Sequence, residues 1–502
     1  DENQTSASRS FSITVQNDGP SNHFNTVLYN GNGSATQAIT GVGFEAGFTW
    51  IKCRTSTQQN GLFDTIRGTN EWLHSDSNAA QTTYSGNYGL LSWASDGFTV
   101  GNGSAINASG QSYVAWSWKA GGAAVSNTDG TITSQVSANV DAGFSIVKYT
   151  GSSPNQTVGH SLDATPEFIV VKNMDTAGNG WATQSPFSGG ADYHMMLNGT
   201  QAAQNNVDWI WNDVNPTSTV FSIGQNGITN TSGNNYISYC FTSKPGFSKV
   251  GSYTGNGSTS GPMVQTGFEP AFLMVKRTDS GDNWLVFDNK RNTTNPTNLA
   301  LIPNSTAAES VGNLGNGFSF YANGFQVVST DSGVNANGGN YIYLAFAADG
   351  STATPSLANS FETQTWTGNN AVRTIPYNFK PDLWFAKNYT ATNGYGHYWT
   401  WIDSIRGGNS VLYSNVTNAA AATGNAFSFV NAGVTFNTSG SNGHNENAFN
   451  FAGYAFKAGG GAPSINTDGT ITSIVSANEA AGFSVVNWSG NGSNDTIGHG
   501  LS

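Results

Sequence analysis

The sequence predicts an all-β protein made of tandem antiparallel β-sandwiches, four complete and a fifth begun. Three observations carry this. The chain holds 14 Trp, 18 Tyr and 29 Phe, enough large side chains to fill several cores. It holds 62 Gly, and Asn, Ser and Thr crowd the gaps between short apolar runs, the profile of a many-turned β protein. Finally, three markers repeat in register through four copies, and internal repetition outranks other cues.

The first marker is an aromatic residue before a glycine-asparagine turn: Tyr29 ("VLYNGNGSA"), Tyr149 ("VKYTGSSPN"), Tyr253 ("GSYTGNGST") and Trp366 ("TQTWTGNNA"), with a fifth at Trp488 ("VNWSGNGSN"). The second is an apolar run ending at Lys52, Lys172, Lys276 and Lys387. The third is an alternating segment beginning at Tyr113, Tyr236, Tyr341 and Phe451. In "YVAWSW", Tyr113, Ala115 and Ser117 point one way and Val114, Trp116 and Trp118 the other. The lysine runs are apolar throughout, as in strands buried on both faces or spanning a sandwich core. No stretch shows helical periodicity.

Each unit spans roughly 100 residues, the size of one sandwich. The boundaries read as an N-terminal strand or the end of a preceding domain (1–20), repeat one (21–122), a connector (123–141), repeat two (142–244), repeat three (245–350), repeat four (351–459), a second connector (460–480) and the start of repeat five (481–502). Within 1–20, Arg9–Asn17 is the strand candidate. A longer period lies on top. "NTDGTIT" follows repeat one at Asn127 and repeat four at Asn466, and His499 in "TIGHGLS" matches His160 in "TVGHSLD". The order is A-B-C-A-B, which predicts that the native chain continues past Ser502 with a sandwich like repeat two.

Charged residues make up 10% of the chain, with 30 acidic against 18 basic and a net charge of -12. No Lys/Arg cluster exists to displace counterions from phosphate, so nucleic acid is excluded as a partner. No apolar run is long enough for a membrane helix. Cys53 and Cys240 sit in apolar runs and read as buried free thiols.

The glycine-asparagine turns lack the lysine and following helix of a phosphate loop and read as hairpin turns. The Glu-x-Asp-x-x-Glu pattern of sandwich glucanases is absent, and so is a nucleophile elbow. The histidines lack zinc spacing. No catalytic residue, cofactor or metal site is assigned, and the chain reads as a non-enzyme. "NTDGTIT" offers Asx oxygens for calcium, though an Asp-Gly hairpin explains it more simply. An Asp-x-x-Arg pair recurs three times: Asp64 and Arg67, Asp288 and Arg291, Asp403 and Arg406. It suits a turn whose carboxylate accepts backbone N–H bonds and whose guanidinium spans it. The recurring lysines read as strand ends with buried stems and wet ammonium groups. In "DWIWNDVN", Trp209 and Trp211 would share one strand face beside acids and amides. They are the candidate glycan platform, with the sandwich core as the competing assignment.

"GFSIVKYTG", "PTSTVFSIG", "GPMVQTGFEPAFLMVKRT" and "YVAWSWKAGG" are similar to repeat domains of tail-fibre and other virion structural proteins of marine, cyanobacterial-type phages. The resemblance covers nearly the whole chain after residue 20. It implies lectin-like, jelly-roll or concanavalin-like modules on a virion surface or in another extracellular setting. It further implies other virion proteins and copies of this chain, a trimer favoured, as partners, with host-surface glycan as a ligand. The alternatives are a bacterial extracellular adhesin or filament subunit and, further off, a carbohydrate-active enzyme.

Overall fold

The computed structural model describes residues 19–205, 209–310, 314–347, 360–390, 398–424, 426–437 and 444–501. The strand candidate Arg9–Asn17 lies outside them. The regular structure of the described residues is nearly all antiparallel strand.

The three markers are three adjacent strands of one sheet. The closing strand (Ser112–Trp118, Asn235–Phe241, Asn340–Ala347, Asn450–Phe456) lies between two others. On one side is the opening strand (Phe24–Asn30, Phe144–Thr150, Ser248–Thr254, Phe361–Thr367). On the other is the lysine strand (Phe48–Cys53, Phe168–Asn173, Pro270–Arg277, Leu383–Asn388). A fourth strand continues the order: Gly61–Asp64, Trp181–Gln184, Leu285–Asp288 and Thr400–Asp403. A smaller sheet of two or three strands completes each sandwich. In the first sandwich its Ile39, Leu90, Phe98 and Val100 pack with Ile51, Phe63, Tyr113 and Ala115.

The glycine-asparagine turn differs from the hairpin expected. The strands on either side of it belong to different sheets: Phe24–Asn30 pairs with the closing strand, Gln37–Thr40 with Gly97–Val100. The motif is a crossover between layers. A buried asparagine from a one-turn helix holds it, with Asn107 Oδ1 accepting from Asn32 N at 2.9 Å and Asn335 Oδ1 from Asn256 N at 2.8 Å. The first glycine is required by close approach, since a Cβ on Gly31 would collide with the Ala108 carbonyl. The second is required by its dihedral, φ +68° at Gly33.

The first three sandwiches do not form a string. Each large sheet packs its own core on one face and a shared core on the other. Trp118 stands at the centre of the shared core. Its ring lies 4.9–6.5 Å from those of Phe24 and Phe48 of the first sandwich, Phe144 and Phe241 of the second, and Phe272 and Phe346 of the third. The lysine strands are apolar throughout because both faces are covered.

Three of the four recurring lysines close the ring, while Lys387 of the fourth sandwich is half-buried. Lys52, Lys172 and Lys276 are fully buried, contrary to the wet ammonium groups expected from their strand-end positions. Each donates to a carbonyl of the neighbouring sandwich: Lys52 to Thr306 (2.9 Å), Lys172 to Asn78 (3.4 Å) and Lys276 to Thr200 (3.2 Å). Each donates to a carbonyl of its own unit as well: Gln58, Asn179 and Arg277. Thus the first sandwich reaches the third, the second the first, and the third the second. Backbone bonds repeat the cycle, among them Gln81 N to Met174 O, Ala203 N to Thr278 O and Glu309 N to Arg54 O, each 2.8 Å.

Burial pushes these three ammonium groups down from 10.5 to about 8. Between those values the unfolded chain holds protons that the folded chain has released. The lysine contribution to stability is therefore complete above 10.5 and is lost as pH falls through 8. Moving from pH 7 to about 9.5 is expected to stabilise the native chain relative to a Lys172→Met variant by on the order of 1–2 kcal/mol. Urea midpoints of the two proteins at both pH values read this directly; identical pH dependence would contradict it.

The segment expected to be a connector at 123–141 is part of the second sandwich. Val125–Asn127 and Ser134–Asn139 extend its sheet to eight strands. The fourth sandwich has a core of its own, with Trp366, Trp384, Phe427 and Phe436. The second connector docks on the third sandwich, where Asn323 exchanges hydrogen bonds of 2.7 and 2.8 Å with the Ile465 backbone. It is not a bare connector: Ser464–Asn466 and Ser473–Asn478 lie within it and form a three-stranded sheet with Phe483–Trp488. Cys53 and Cys240 are buried and free. No helix among the described residues is long and apolar enough to cross a membrane.

Candidate functional site

The Asp-x-x-Arg pairs close turns. Asp64 Oδ1 accepts from the Ile66 and Arg67 backbone at 3.1 and 2.9 Å, and Asp288 Oδ1 from Lys290 and Arg291 at 3.1 and 2.8 Å. Asp403 Oδ1 accepts from Arg406 N at 2.8 Å. In each turn the arginine Nε binds the second carboxylate oxygen. Its terminal nitrogens reach carbonyls such as Leu62 (2.8 Å) and Val286 (2.9 Å).

Two of these carboxylates also bridge sandwiches. Asp64 Oδ2 accepts from the Tyr239 hydroxyl of the second sandwich at 2.8 Å, and Asp288 Oδ2 from Trp116 Nε1 of the first at 3.0 Å. Burial, then Asp64, hold the Tyr239 phenol well above its ordinary pKa. The second sandwich lacks the pair. Pairing register puts Ser185 at its aspartate position, and the third sandwich puts Leu344 where Tyr239 and Trp116 stand. The acid and the donor facing it are absent together, so no buried group loses a partner. The pairs are architectural.

Trp209 and Trp211 do not share a face. Trp211 is 2% exposed inside the second sandwich's core, and Trp209 is 65% exposed. They stand in a turn rather than a strand, with Asn212 and Asp213 at positive φ. Trp209→Ala is expected to leave the melting curve within about 0.5 kcal/mol of native. Trp211→Ala is expected to cost about 3–5 kcal/mol. Equal effects in thermal melts would contradict these placements.

The "NTDGTIT" segments form Asx turns. Asn127 Nδ2 binds Asp129 Oδ2, and Asn466 Nδ2 binds Asp468 Oδ2, both at 2.8 Å. Among the described residues no group of three or more His, Cys, Asp or Glu is placed to hold a metal.

Two open clefts lie at equivalent positions. One, of about 520 Å³, lies between the third sandwich, the fourth and the second connector; Glu269, Asn289 and Phe320 line its first wall, Lys380 and Ser404 its second. The other, of about 480 Å³, lies against the first sandwich and holds Glu45, Thr65, Trp93 and Lys119. Register makes Glu45, Thr65 and Trp93 the counterparts of Glu269, Asn289 and Phe320. In the fourth sandwich Lys380 and Ser404 take the places of Glu269 and Asn289. The larger cleft therefore joins like ends of two sandwiches, with an acid on one wall and a base on the other.

Its polar groups differ in how they are engaged. Burial raises the Glu269 carboxyl pKa. Asn289 Oδ1 is buried without a hydrogen-bond partner. Asn295 is fixed by exchange with the Phe320 backbone at 2.6 and 2.8 Å. A carboxylate, an ammonium and an amide around an aromatic wall, in a volume within the range of small-ligand pockets, suit a polyhydroxylated ligand.

The family described as a domain of unknown function, DUF7483, matches residues 19–349 and 356–502. The chain belongs to the DUF7483 family. The first matched stretch spans the three-sandwich ring, and the second opens just ahead of the fourth sandwich. A search of curated proteins finds no match.

Sequence reasoning missed the clefts because each draws residues from distant segments. The available signal was the repeated Gly-Phe-Glu, ending at Glu45 and Glu269, at the same register of two units.

Proposed function

We propose that the chain is a structural and adhesive part of an extracellular appendage, a fibre or related structure on a phage virion, that engages host-surface glycan through the Glu269 and Glu45 clefts. The observation that carries this is the contrast between buried and open polar groups. Lys52, Lys172, Lys276 and the Asp64 and Asp288 pairs are consumed in closing the ring, whereas the clefts keep a carboxylate, an amide or hydroxyl, and an aromatic wall open at two equivalent places. Repeated weak sites on one chain suit adhesion, since two engaged sites multiply through effective concentration. A surface with few charges suits a protein working in salt water.

Glycan-array binding of the native chain beside a Glu269→Gln/Lys380→Met variant tests the adhesive part. The variant is expected to lose roughly tenfold in affinity, the effect of two charge-assisted contacts, at an unchanged melting temperature. Equal binding by both proteins would sink the assignment of the cleft. Gold-labelled antibody on negatively stained particles from the native source tests the setting: label on virions supports it, and label on cell-derived filaments favours an adhesin.

A further inference from the structure

The fourth sandwich carries, half open, the face that the first three use to build their ring. Phe385 stacks on Trp401 at 4.2 Å and Tyr454 at 5.0 Å, and Phe456 lies 4.7 Å from Phe361. Register makes these the counterparts of Trp50, Leu62, Trp116, Trp118 and Phe24, all buried in the shared core. In the fourth sandwich none of the five is buried, and Phe361 is exposed. The turn pair shows the same contrast. Arg67–Asp64 and Arg291–Asp288 are sealed from solvent, whereas the Arg406 and Asp403 side chains are 20% and 8% exposed.

Beside this face stands Phe483–Trp488, placed as Phe144–Thr150 is placed beside the first sandwich. Asn478 Nδ2 donates to Lys457 O as Asn139 Nδ2 donates to Lys119 O. Phe483 lies against Phe456 at 5.3 Å as Phe144 lies against Trp118. Ser473 binds Gly498 O as Ser134 binds Gly159 O, and Ile471 bridges Ile497 as Ile132 bridges Val158. In the second sandwich this strand is buried on both faces and pairs with a closing strand at Asn235–Phe241. Here Trp488 is 48% exposed where its counterpart Tyr149 is 2%. Among the described residues Phe483–Trp488 pairs on one edge alone, with Ser473–Asn478.

We propose that the aromatic face of the fourth sandwich is an interaction surface for two further sandwiches of this repeat, the first of them built on Phe483–Trp488, so that a second three-sandwich ring forms. The first resembles the second sandwich and presents a tyrosine or tryptophan donor to Asp403, as Tyr239 does to Asp64. The other resembles the third and presents an aspartate to the Tyr454 hydroxyl, as Asp288 does to Trp116. A second copy's fourth sandwich does not fit, because its opening strand Phe361–Thr367 would have to stand where Phe483–Trp488 already stands. The second family stretch, opening ahead of the fourth sandwich as the first opens ahead of the ring, agrees with this.

Hydroxyl-radical footprinting of the protein isolated from its native source, read by mass spectrometry with cross-linking, tests the surface. Phe385, Trp401, Tyr454 and Trp488 are expected to oxidise roughly tenfold more slowly than Trp209, as buried groups do, with cross-links from the fourth sandwich to segments of this repeat. Oxidation of Phe385 and Trp401 at the rate of Trp209 overturns the proposal. So does protection accompanied by cross-links to a protein lacking the repeat or to the fourth sandwich of a second copy.

Discussion

Trp118→Ala is expected to destabilise the first three sandwiches by about 3–5 kcal/mol, the range for deleting a large buried aromatic, and to uncouple them. The indole touches rings from all three units, two from each. Its removal opens a cavity where three sheets meet, and no one of them can collapse into it without leaving the others. The native ring should therefore unfold in one step and the variant in more than one. Urea unfolding followed by intrinsic fluorescence and by far-ultraviolet circular dichroism reads this: coincident curves for the native ring, divergent curves for the variant. Trp209→Ala serves as the control, since that side chain packs in no core cluster. A Trp118→Ala protein with native stability and coincident curves would remove the shared core from the account.

Asp288→Ala should match that loss by a different route. The Arg291 and Asp288 side chains are both sealed from solvent, and the guanidinium lies 5.7 Å from the Trp116 ring centre. Truncating the acid leaves the buried Arg291 cation only the longer contact to Glu309 Oε1 at 3.7 Å, and leaves Trp116 Nε1 without its acceptor. Removing one partner of a buried ion pair costs about 3–5 kcal/mol. Asp403→Ala, at the same turn of the fourth sandwich, should cost less, because water reaches Arg406. Chemical denaturation of both variants decides the matter. Equal losses would mean that the turn alone, and not its burial between sandwiches, sets the energy.

Much of the architecture was legible in the sequence. The markers at Tyr29, Lys52 and Tyr113 and their copies name three neighbouring strands because each strand keeps its apolar pattern in every unit. The alternation in "YVAWSW" is also correct: Tyr113 and Ala115 face their own sandwich core, Trp116 and Trp118 face the other way. What the pattern does not say is what the other way meets. A strand buried on both faces reads the same whether its second face covers a small sheet or a neighbouring sandwich, so ring closure stayed hidden.

The lysine signal is ambiguous for a related reason. A lysine ending an apolar run is ordinarily a snorkelling side chain, and only the neighbouring sandwich's carbonyls turn Lys172 inward. The crossover at Gly31 reads as a hairpin in the sequence because Asn-Gly serves both, and the distinction lies in Asn107, more than seventy residues on. Trp209 and Trp211 have strand spacing in the sequence, but positive φ at Asn212 and Asp213 bends the chain there, and the two rings are divided between solvent and core.

Calorimetry of the native chain tests most directly whether three sandwiches fold as one body. The ring comprises roughly 330 residues, so it should melt in a single transition with an enthalpy of about 230 kcal/mol, at the usual value per residue. The van't Hoff enthalpy should equal the calorimetric one, with the fourth sandwich melting separately. Three transitions of about 75 kcal/mol each, or a single peak whose van't Hoff enthalpy is a third of the calorimetric value, would show three independent sandwiches and contradict the ring.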